Sequence, residues 1–231
     1  MFEIVMLDEI RIILALAMLG IACTSDIKKR EIHDVVWIVF GAIAACLIPF
    51  GGDLEKELYS VGISLIIAPV AIIVWRVGLF GGADAFALIV LAALAPSATL
   101  FGGTVSPFTV LTNAVLLSTI PMLTNISRNL ILLAAKKDIF AGFDETPGRK
   151  IFAMIIGYRA TNPKFGFSIE RMEGGQKKLN LSLQHAENTA FCDKADTWIT
   201  PGIPYLIFIA AGFVLQIVYG DVMFGIFSFF T

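Results

Sequence analysis

Two aspartates stand where apolar stretches of the chain begin or end. Asp26 closes the first stretch, just before the basic residues 28–30, and Asp84 opens the fourth, directly after residues 81–83. Ionisable groups at the edge of so apolar an environment are costly to keep there, and they therefore indicate function. Two carboxylates held a few ångströms apart share one proton across a water, which activates that water for attack on a peptide carbonyl.

Each aspartate also has a purely structural interpretation. An aspartate before an apolar helix caps its free N–H groups, which would account for Asp84, and Asp26 could be a solvated partner of the basic residues 28–30. Gly81 and Gly82 weigh against simple capping, because glycines permit positive φ and close backbone approach. They also follow an apolar stretch, whereas the residues of an ordinary surface turn would be polar. The helix ends also suggest separate roles, since a helix N-terminus favours Asp84 as the anion and a C-terminus disfavours Asp26 as one.

The elements that must position these aspartates are membrane segments. Of the 231 residues, 57% are hydrophobic and 16% are charged, and the mean hydropathy is +0.83. An average soluble domain has roughly 45–50% apolar and about 25% charged residues. This composition excludes an ordinary soluble enzyme and a disordered chain, and the net charge of −2 excludes a basic nucleic-acid binder. The sequence predicts a polytopic membrane protein in contact with the lipid bilayer.

Six runs approach the roughly 20 apolar residues that a membrane-spanning helix requires. They are about 4–25, 35–50, 58–80, 85–101, 106–134 and 203–219. The loops after the first, third and fifth runs are basic or flanked by arginine, and the other loops are acidic or uncharged. Because basic loops stay in the cytoplasm, both termini are predicted outside and both aspartates at the cytoplasmic face. The predicted fold class is all-α, with six transmembrane helices and a small α+β cytoplasmic domain between helices 5 and 6.

The long loop before the last run is the candidate soluble module. Residues 136–200 contain ten Lys/Arg and eight Asp/Glu. Apolar residues alternate over 165–169 and 179–183 around Gly174-Gly175, which predicts a β-hairpin or small sheet. Residues 151–156 predict a short amphipathic helix on the membrane face. The predicted division is a membrane domain over 1–135, a soluble cytoplasmic domain over 136–200 and a last transmembrane region over 201–231.

The other asparagine and cysteine side chains in question are interpreted as structural and not as catalytic. Asn113 and Asn125 lie inside an apolar run and are predicted to hydrogen-bond across helices. Cys23, Cys46 and Cys192 share no close spacing and are interpreted as small buried hydrophobes. Neither a metal site nor a cofactor is predicted.

Three sequence patterns, taken together, indicate a family resemblance. Asp26 is followed six residues later by Ile32 across a basic stretch, Gly81-Gly82-Ala83-Asp84 opens the fourth helix, and the segment 198–204 joins the long loop to the last helix. The chain thereby resembles the type IV prepilin peptidase family, and most closely its archaeal preflagellin (prearchaellin) peptidase branch, which are membrane aspartic proteases of the GxGD class. Ala83 is a departure, because the motif name implies a second glycine there.

The resemblance implies an aspartic endopeptidase in which Asp26 and Asp84 are catalytic. Its substrates would be preflagellins or pilin-like precursors, whose short basic class III signal peptide lies in the cytoplasm and is cut just before its apolar helix. Residues 81–83 would shape the site. Glu31 and Asp34 would attract the basic leader or simply balance the charge of residues 28–30. The resemblance implies no cofactor and no metal.

Two other classes of membrane protein use buried carboxylates. A presenilin-like protease would have a Tyr before its first Asp and a Pro-Ala-Leu motif, whereas Ser25 precedes Asp26 and the sequence contains no Pro-Ala-Leu. A transporter or assembly factor would use the aspartates as ion or proton sites, preferably at the bilayer midplane and with inverted repeats. This second alternative stays open, as do the substrate range and the oligomeric state.

Overall fold

The computed structural model describes residues 2–101, 103–182 and 189–230. The chain forms two compact units: a helical unit, Met1–Leu117 with Pro204–Thr231, and a mixed unit, Ser118–Ile203. Within the described residues the helices are α1 Phe2–Lys29, α2 Val35–Leu47, α3 Leu54–Ser64, α4 Ile67–Arg76, α5 Gly82–Leu94, α6 Thr109–Leu117, α7 Thr119–Ala134, α8 Pro147–Ile156, α9 Leu206–Tyr219 and α10 Val222–Phe230. Each of the six predicted apolar runs coincides with one or two of these helices.

Three stretches of the described chain are long and apolar enough to cross a membrane, namely Met6–Lys29, Leu54–Arg76 and Thr109–Ala134. The pair α9 and α10 adds a fourth if the two helices, bent by 56° at a short break, count as one span. α5 is apolar but shorter. The protein is thus a mostly helical membrane protein with three or four candidate spans.

The core of the helical unit is built around α5. Its inward positions, such as Ala85, Leu88 and Leu91, recur every three or four residues, as on a helix with one buried face. α5 packs against α1, α2, α4 and α9. This short helix is therefore surrounded largely by other helices, and α1 is one of them.

The chain that follows α5 is no longer helical, and side chains from other helices hold its backbone. Ser64 Oγ donates a hydrogen bond to the carbonyl of Pro96 at 3.1 Å. Gln216 Nε2 donates to the carbonyl of Ala98 at 3.3 Å. These two bonds satisfy backbone acceptors that have left their helix.

Both predicted interhelical asparagines are confirmed. Asn113 Nδ2 donates to the carbonyl of Gly220 at 3.0 Å, and its Oδ1 accepts from the N–H of Val222 at 3.1 Å, so α6 is tied to the break between α9 and α10. In the mixed unit, Asn125 Nδ2 donates to the carbonyl of Ile155 at 3.3 Å. Side-chain amides thus replace helix hydrogen bonds where helices end.

Two small antiparallel sheets form the second part of the mixed unit. In the first, β5 (Thr197–Pro201) lies between β1 (Tyr158–Ala160) and β2 (Gly166–Ser168). In the second, β3 (Glu170–Glu173) pairs with β4 (Gln176–Leu179). The small sheet domain expected near the C-terminal end of the chain is therefore present.

The β3–β4 hairpin turns where the glycine pair predicted it. Gly174 and Gly175 have φ values of 60° and 80°, and Glu173 pairs with Gln176 across the turn. Two consecutive left-handed residues give a turn whose twist matches that of the strands. The strands lie closer to the turn than the apolar alternation indicated, and Leu183 of that alternation lies outside the described residues.

Trp198 is fully buried in β5 and centres the core of the mixed unit. Its Nε1 donates to the carbonyl of Ile139 at 2.8 Å, and its ring stacks on Phe140 with 4.7 Å between centroids. The short helix predicted over 151–156 is present as α8, which contributes Ala153 to this core.

Glu145 joins the chain before α8 to β4. Its Oε1 accepts from the N–H of Leu179 at 2.6 Å, and its Oε2 accepts from Arg149 Nε at 2.5 Å. Arg149 also donates to the carbonyl of Leu179. Burial by itself raises the pKa of the Glu145 carboxyl, but the hydrogen bonds and the Arg149 charge outweigh burial, and the pKa lies below its ordinary value of 4.5.

The mixed unit should therefore lose stability in acid. Because the folded pKa of Glu145 lies below the unfolded value, its stabilisation is complete above about pH 4.5 and is lost as the pH falls through the folded pKa. Glu145→Gln should make thermal unfolding less dependent on pH in this window. Glu173→Gln, on the exposed hairpin, is the control. An unchanged pH dependence for Glu145→Gln would contradict the prediction.

Candidate active site

Asp84 lies in the first turn of α5 and is 7% exposed. Gly81 precedes the helix in an extended conformation, and its N–H donates to Oδ2 of Asp84 at 2.9 Å. Helix N-termini leave N–H groups without partners, so a carboxylate there gains from a hydrogen bond and from the helix dipole. Asp84 is therefore both a cap of α5 and a buried ionisable group.

The glycine pair before Asp84 differs from the prediction in its backbone conformation. Gly81 has a φ of −80° and Gly82 is the first helical residue, so neither uses the left-handed region. That region is used by Gly78, with a φ of 80°, in the turn between α4 and α5. Gly82 is buried, and Ala83 packs against the core of the helical unit. Small residues at these positions let the start of α5 lie close to its neighbours.

Asp26 lies in the last turn of α1 and is half-buried. Arg30 ends the helix in a left-handed conformation with a φ of 58°, and its N–H donates to the carbonyl of Asp26 at 2.9 Å. The Arg30 guanidinium also interacts electrostatically with the Asp26 carboxylate. Ser25 Oγ donates to the carbonyl of Glu31 at 2.8 Å, which folds the following chain back onto this turn.

Both carboxylates interact electrostatically with the same side chain, Cys23. α1 packs against α5, and Ala22 and Ala85 are buried in one core. Cys23 lies about one turn before Asp26 and packs on that core, and its thiol interacts electrostatically with Asp26 and with Asp84. The two aspartates therefore lie at the same end of the α1–α5 pair.

Phe80 and Tyr205 form an aromatic pair beside the start of α5. Their rings stack with 5.5 Å between centroids and an interplanar angle of 20°. Tyr205 also contacts Phe208 edge-on at 5.7 Å. Phe80 directly precedes Gly81, so the stack holds the residue next to the N–H that binds Asp84.

The sequence analysis did not assign these neighbours to the site. For Cys23 a signal existed, because its spacing of three residues from Asp26 places both on one helix face. For Tyr205 the signal was weaker: it is the first residue after the segment 198–204, which carries part of the family resemblance. Nothing local to Phe80 indicates its contact with Tyr205, since that contact joins distant parts of the chain.

Glu31 and Asp34, also predicted near the site, are exposed in the loop between α1 and α2. Asp34 immediately precedes α2, and its side chain makes no capping hydrogen bond there. Both carboxylates add negative charge to the surface that follows Asp26. In the part of the chain that the structure describes, no three His, Cys, Asp or Glu side chains form a group that could hold a metal ion.

Known protein families match both parts of the chain. Residues 13–123, which include both aspartates, match the type IV leader peptidase family, and residues 149–222 match the archaeal peptidase A24 C-terminus, type II. A preflagellin peptidase from Methanocaldococcus jannaschii is 25% identical over 220 residues, which cover 90% of this chain and 92% of that protein. The chain thus belongs to the type IV leader peptidase family, with a C-terminal region of the archaeal kind.

Proposed function

We propose that the chain is a membrane aspartic endopeptidase that removes the short basic signal peptide of preflagellins or pilin-like precursors. The observation that carries the proposal is the packing of α1 on α5, with Asp26 in the last turn of α1, Asp84 in the first turn of α5, and both carboxylates interacting electrostatically with Cys23. The name of the Methanocaldococcus jannaschii relative supplies the substrate class. Membership in a leader peptidase family supplies the reaction, hydrolysis of a peptide bond.

In the proposed reaction the two aspartates share one proton and hold one water. Asp84, at the N-terminus of α5 and hydrogen-bonded to the Gly81 N–H, is the ionised partner. It takes a proton from the water while the water oxygen attacks the carbonyl carbon of the peptide bond. Asp26 gives its proton to the carbonyl oxygen. When the tetrahedral intermediate collapses, Asp26 recovers that proton, Asp84 protonates the leaving nitrogen, and the C–N bond breaks.

We further propose that this end of the helices lies at the cytoplasmic face. The chain would cross the membrane six times with both termini outside, and residues 136–200 would form a cytoplasmic domain between a membrane domain over 1–135 and a last transmembrane region over 201–231. The alternation of basic loops supports this topology. A basic leader would meet the exposed Glu31 and Asp34 before its scissile bond reaches the aspartates, and residues 81–83 would shape the site.

A cleavage assay tests the proposal. Purified full-length protein in detergent should shorten a preflagellin at its leader, with the cut located by mass spectrometry. Asp26→Ala and Asp84→Ala should each abolish the product. Asp53→Ala removes an exposed aspartate at the start of α3 and should keep the activity. Processing that survives either substitution at position 26 or 84 would contradict the proposal.

The aromatic pair gives a smaller, graded prediction. Phe80→Leu should lower kcat by up to about tenfold, because a stacked aromatic pair contributes roughly 0.5–1.5 kcal/mol and here holds the residue before Gly81. KM should change little, because the proposed role of the stack is to hold Gly81 and not to bind the preflagellin. Phe101→Leu, at a phenylalanine that is 78% exposed, is the control. A kcat equal to that of the control would show that the stack does not position Asp84.

A further inference from the structure

α8 exposes two large apolar side chains, while its two charged side chains are partly buried and contact neighbouring residues. Ile151 and Phe152 are 61% and 47% exposed. Arg149 pairs with Glu145, and Lys150 Nζ lies 5.5 Å from the ring centroid of Phe140. A helix on the surface of a soluble domain usually keeps its large apolar side chains on the core and its charged ones in water. The exposed face of α8 therefore fits an apolar neighbour better than it fits water.

α8 is fixed to α7 by buried amides. Asn129 Nδ2 donates to the carbonyls of Met154 at 3.0 Å and Gly157 at 2.8 Å, at the C-terminal end of α8. Asn125, one turn earlier on α7, donates to the carbonyl of Ile155. These bonds satisfy carbonyls that a helix end leaves open, and they attach α8 to α7 at this point.

α7 is the second half of Thr109–Ala134, one of the candidate membrane spans. Its other faces expose large apolar side chains, including Leu130 and Ile131. Asn129 lies five residues before the end of α7, so the attachment of α8 is roughly 8 Å from that end at 1.5 Å per residue. Two exposed lysines, Lys136 and Lys137, follow the helix. An interfacial helix lies roughly 5–10 Å into the boundary between headgroups and acyl chains, which is where α8 would lie with the end of α7 at the headgroups.

We propose that α8 lies in the bilayer interface, with Ile151 and Phe152 in the acyl-chain layer. The partner is the lipid surface, because the helix is anchored near the end of a candidate membrane span and presents large apolar side chains outward. The mixed unit is thereby held against the membrane at a second place besides α7. The proposal requires only that the chain be a membrane protein and does not depend on peptidase activity.

Spin-label accessibility in vesicles tests this placement. The full chain, with its three cysteines replaced by alanine, would carry one nitroxide through Phe152→Cys and be reconstituted into vesicles of phosphatidylcholine and phosphatidylglycerol. The ratio of collisions with oxygen, which concentrates in lipid, to collisions with a water-soluble nickel complex should be severalfold higher than for Gln176→Cys. Gln176 is an exposed residue of β4 and is the matched aqueous position.

Two outcomes would overturn the proposal. A label at position 152 that meets the nickel complex as often as the label at 176 would place α8 in water. A label shielded from both reagents would place this face against protein. A second variant tests the cause: Phe152→Glu with the label at Ile151→Cys should raise nickel accessibility at 151 and leave the unfolding temperature unchanged, whereas an unchanged accessibility would also count against the proposal.

Discussion

Asp26→Asn, Asp84→Asn and the double variant should cleave preflagellin at the same residual rate. We expect each to lose about 10²- to 10⁴-fold, the usual contribution of proton transfer by a positioned side chain. The losses are not additive, because both carboxylates act on one water through one shared proton, and removing either partner ends that step. Initial rates of product formation measure all three variants against the unmodified chain.

Asparagine is the informative substitution because it separates catalysis from folding. An amide oxygen at position 84 can still accept the hydrogen bond from the Gly81 N–H, so the start of α5 keeps its cap. The unfolding temperature should therefore stay close to that of the unmodified chain. A double variant slower than the unmodified chain by the product of the two single losses would show that the aspartates act independently, which would refute the shared proton.

Glu57→Leu should destabilise the helical unit by about 3 kcal/mol, the lower end of the range for leaving a buried ion without its partner. The side chain of Arg11 is 5% exposed, and its Nη2 donates to Oε2 of Glu57 at 2.8 Å, joining α1 to α3. Asp8, one turn before Arg11 and exposed, also interacts electrostatically with it. That second carboxylate offsets part of the loss, which is why the lower end applies.

Denaturant-induced unfolding in detergent measures this effect. Glu55→Leu, on the exposed face of the same helix, should change the free energy of unfolding by less than about 0.5 kcal/mol. Combining Glu57→Leu with Arg11→Met should recover most of the stability, because replacing both partners leaves no buried charge. If Glu57→Leu were no more destabilising than Glu55→Leu, the ion pair between Arg11 and Glu57 would not contribute to the free energy of unfolding.

The features that could be predicted from the sequence depend on short-range patterns. Apolar runs located the helices because membrane helices are defined by composition over about 20 residues. Gly174 and Gly175 located the hairpin because its turn needs left-handed residues. Asp26 and Asp84 stood out as charges at the ends of apolar runs, and the family matches cover both of them.

The features that could not be predicted depend on contacts between distant residues. The electrostatic interaction of both aspartates with Cys23 requires the packing of α1 on α5, which no local pattern encodes. By contrast, the division of the third run into α3 and α4 at residues 65–66 has a local signal, because Pro69 cannot donate a helix hydrogen bond to the carbonyl of Leu65. The left-handed residue before α5 is Gly78, because the chain turns there before it reaches Gly81.

The length of α5 has a consequence for the membrane itself. Its 13 residues extend about 20 Å, whereas the hydrocarbon core of a bilayer is about 30 Å thick. With the Asp84 end at one surface, as in the proposed topology, the helix stops roughly 10 Å short of the other surface, which is a hydrophobic mismatch. Non-helical backbone survives at such depth only when protein groups bond it, and Ser64 and Gln216 supply bonds of this kind to the chain beyond α5. The protein can thus place a short helix behind Asp84 without exposing those two carbonyl groups to lipid.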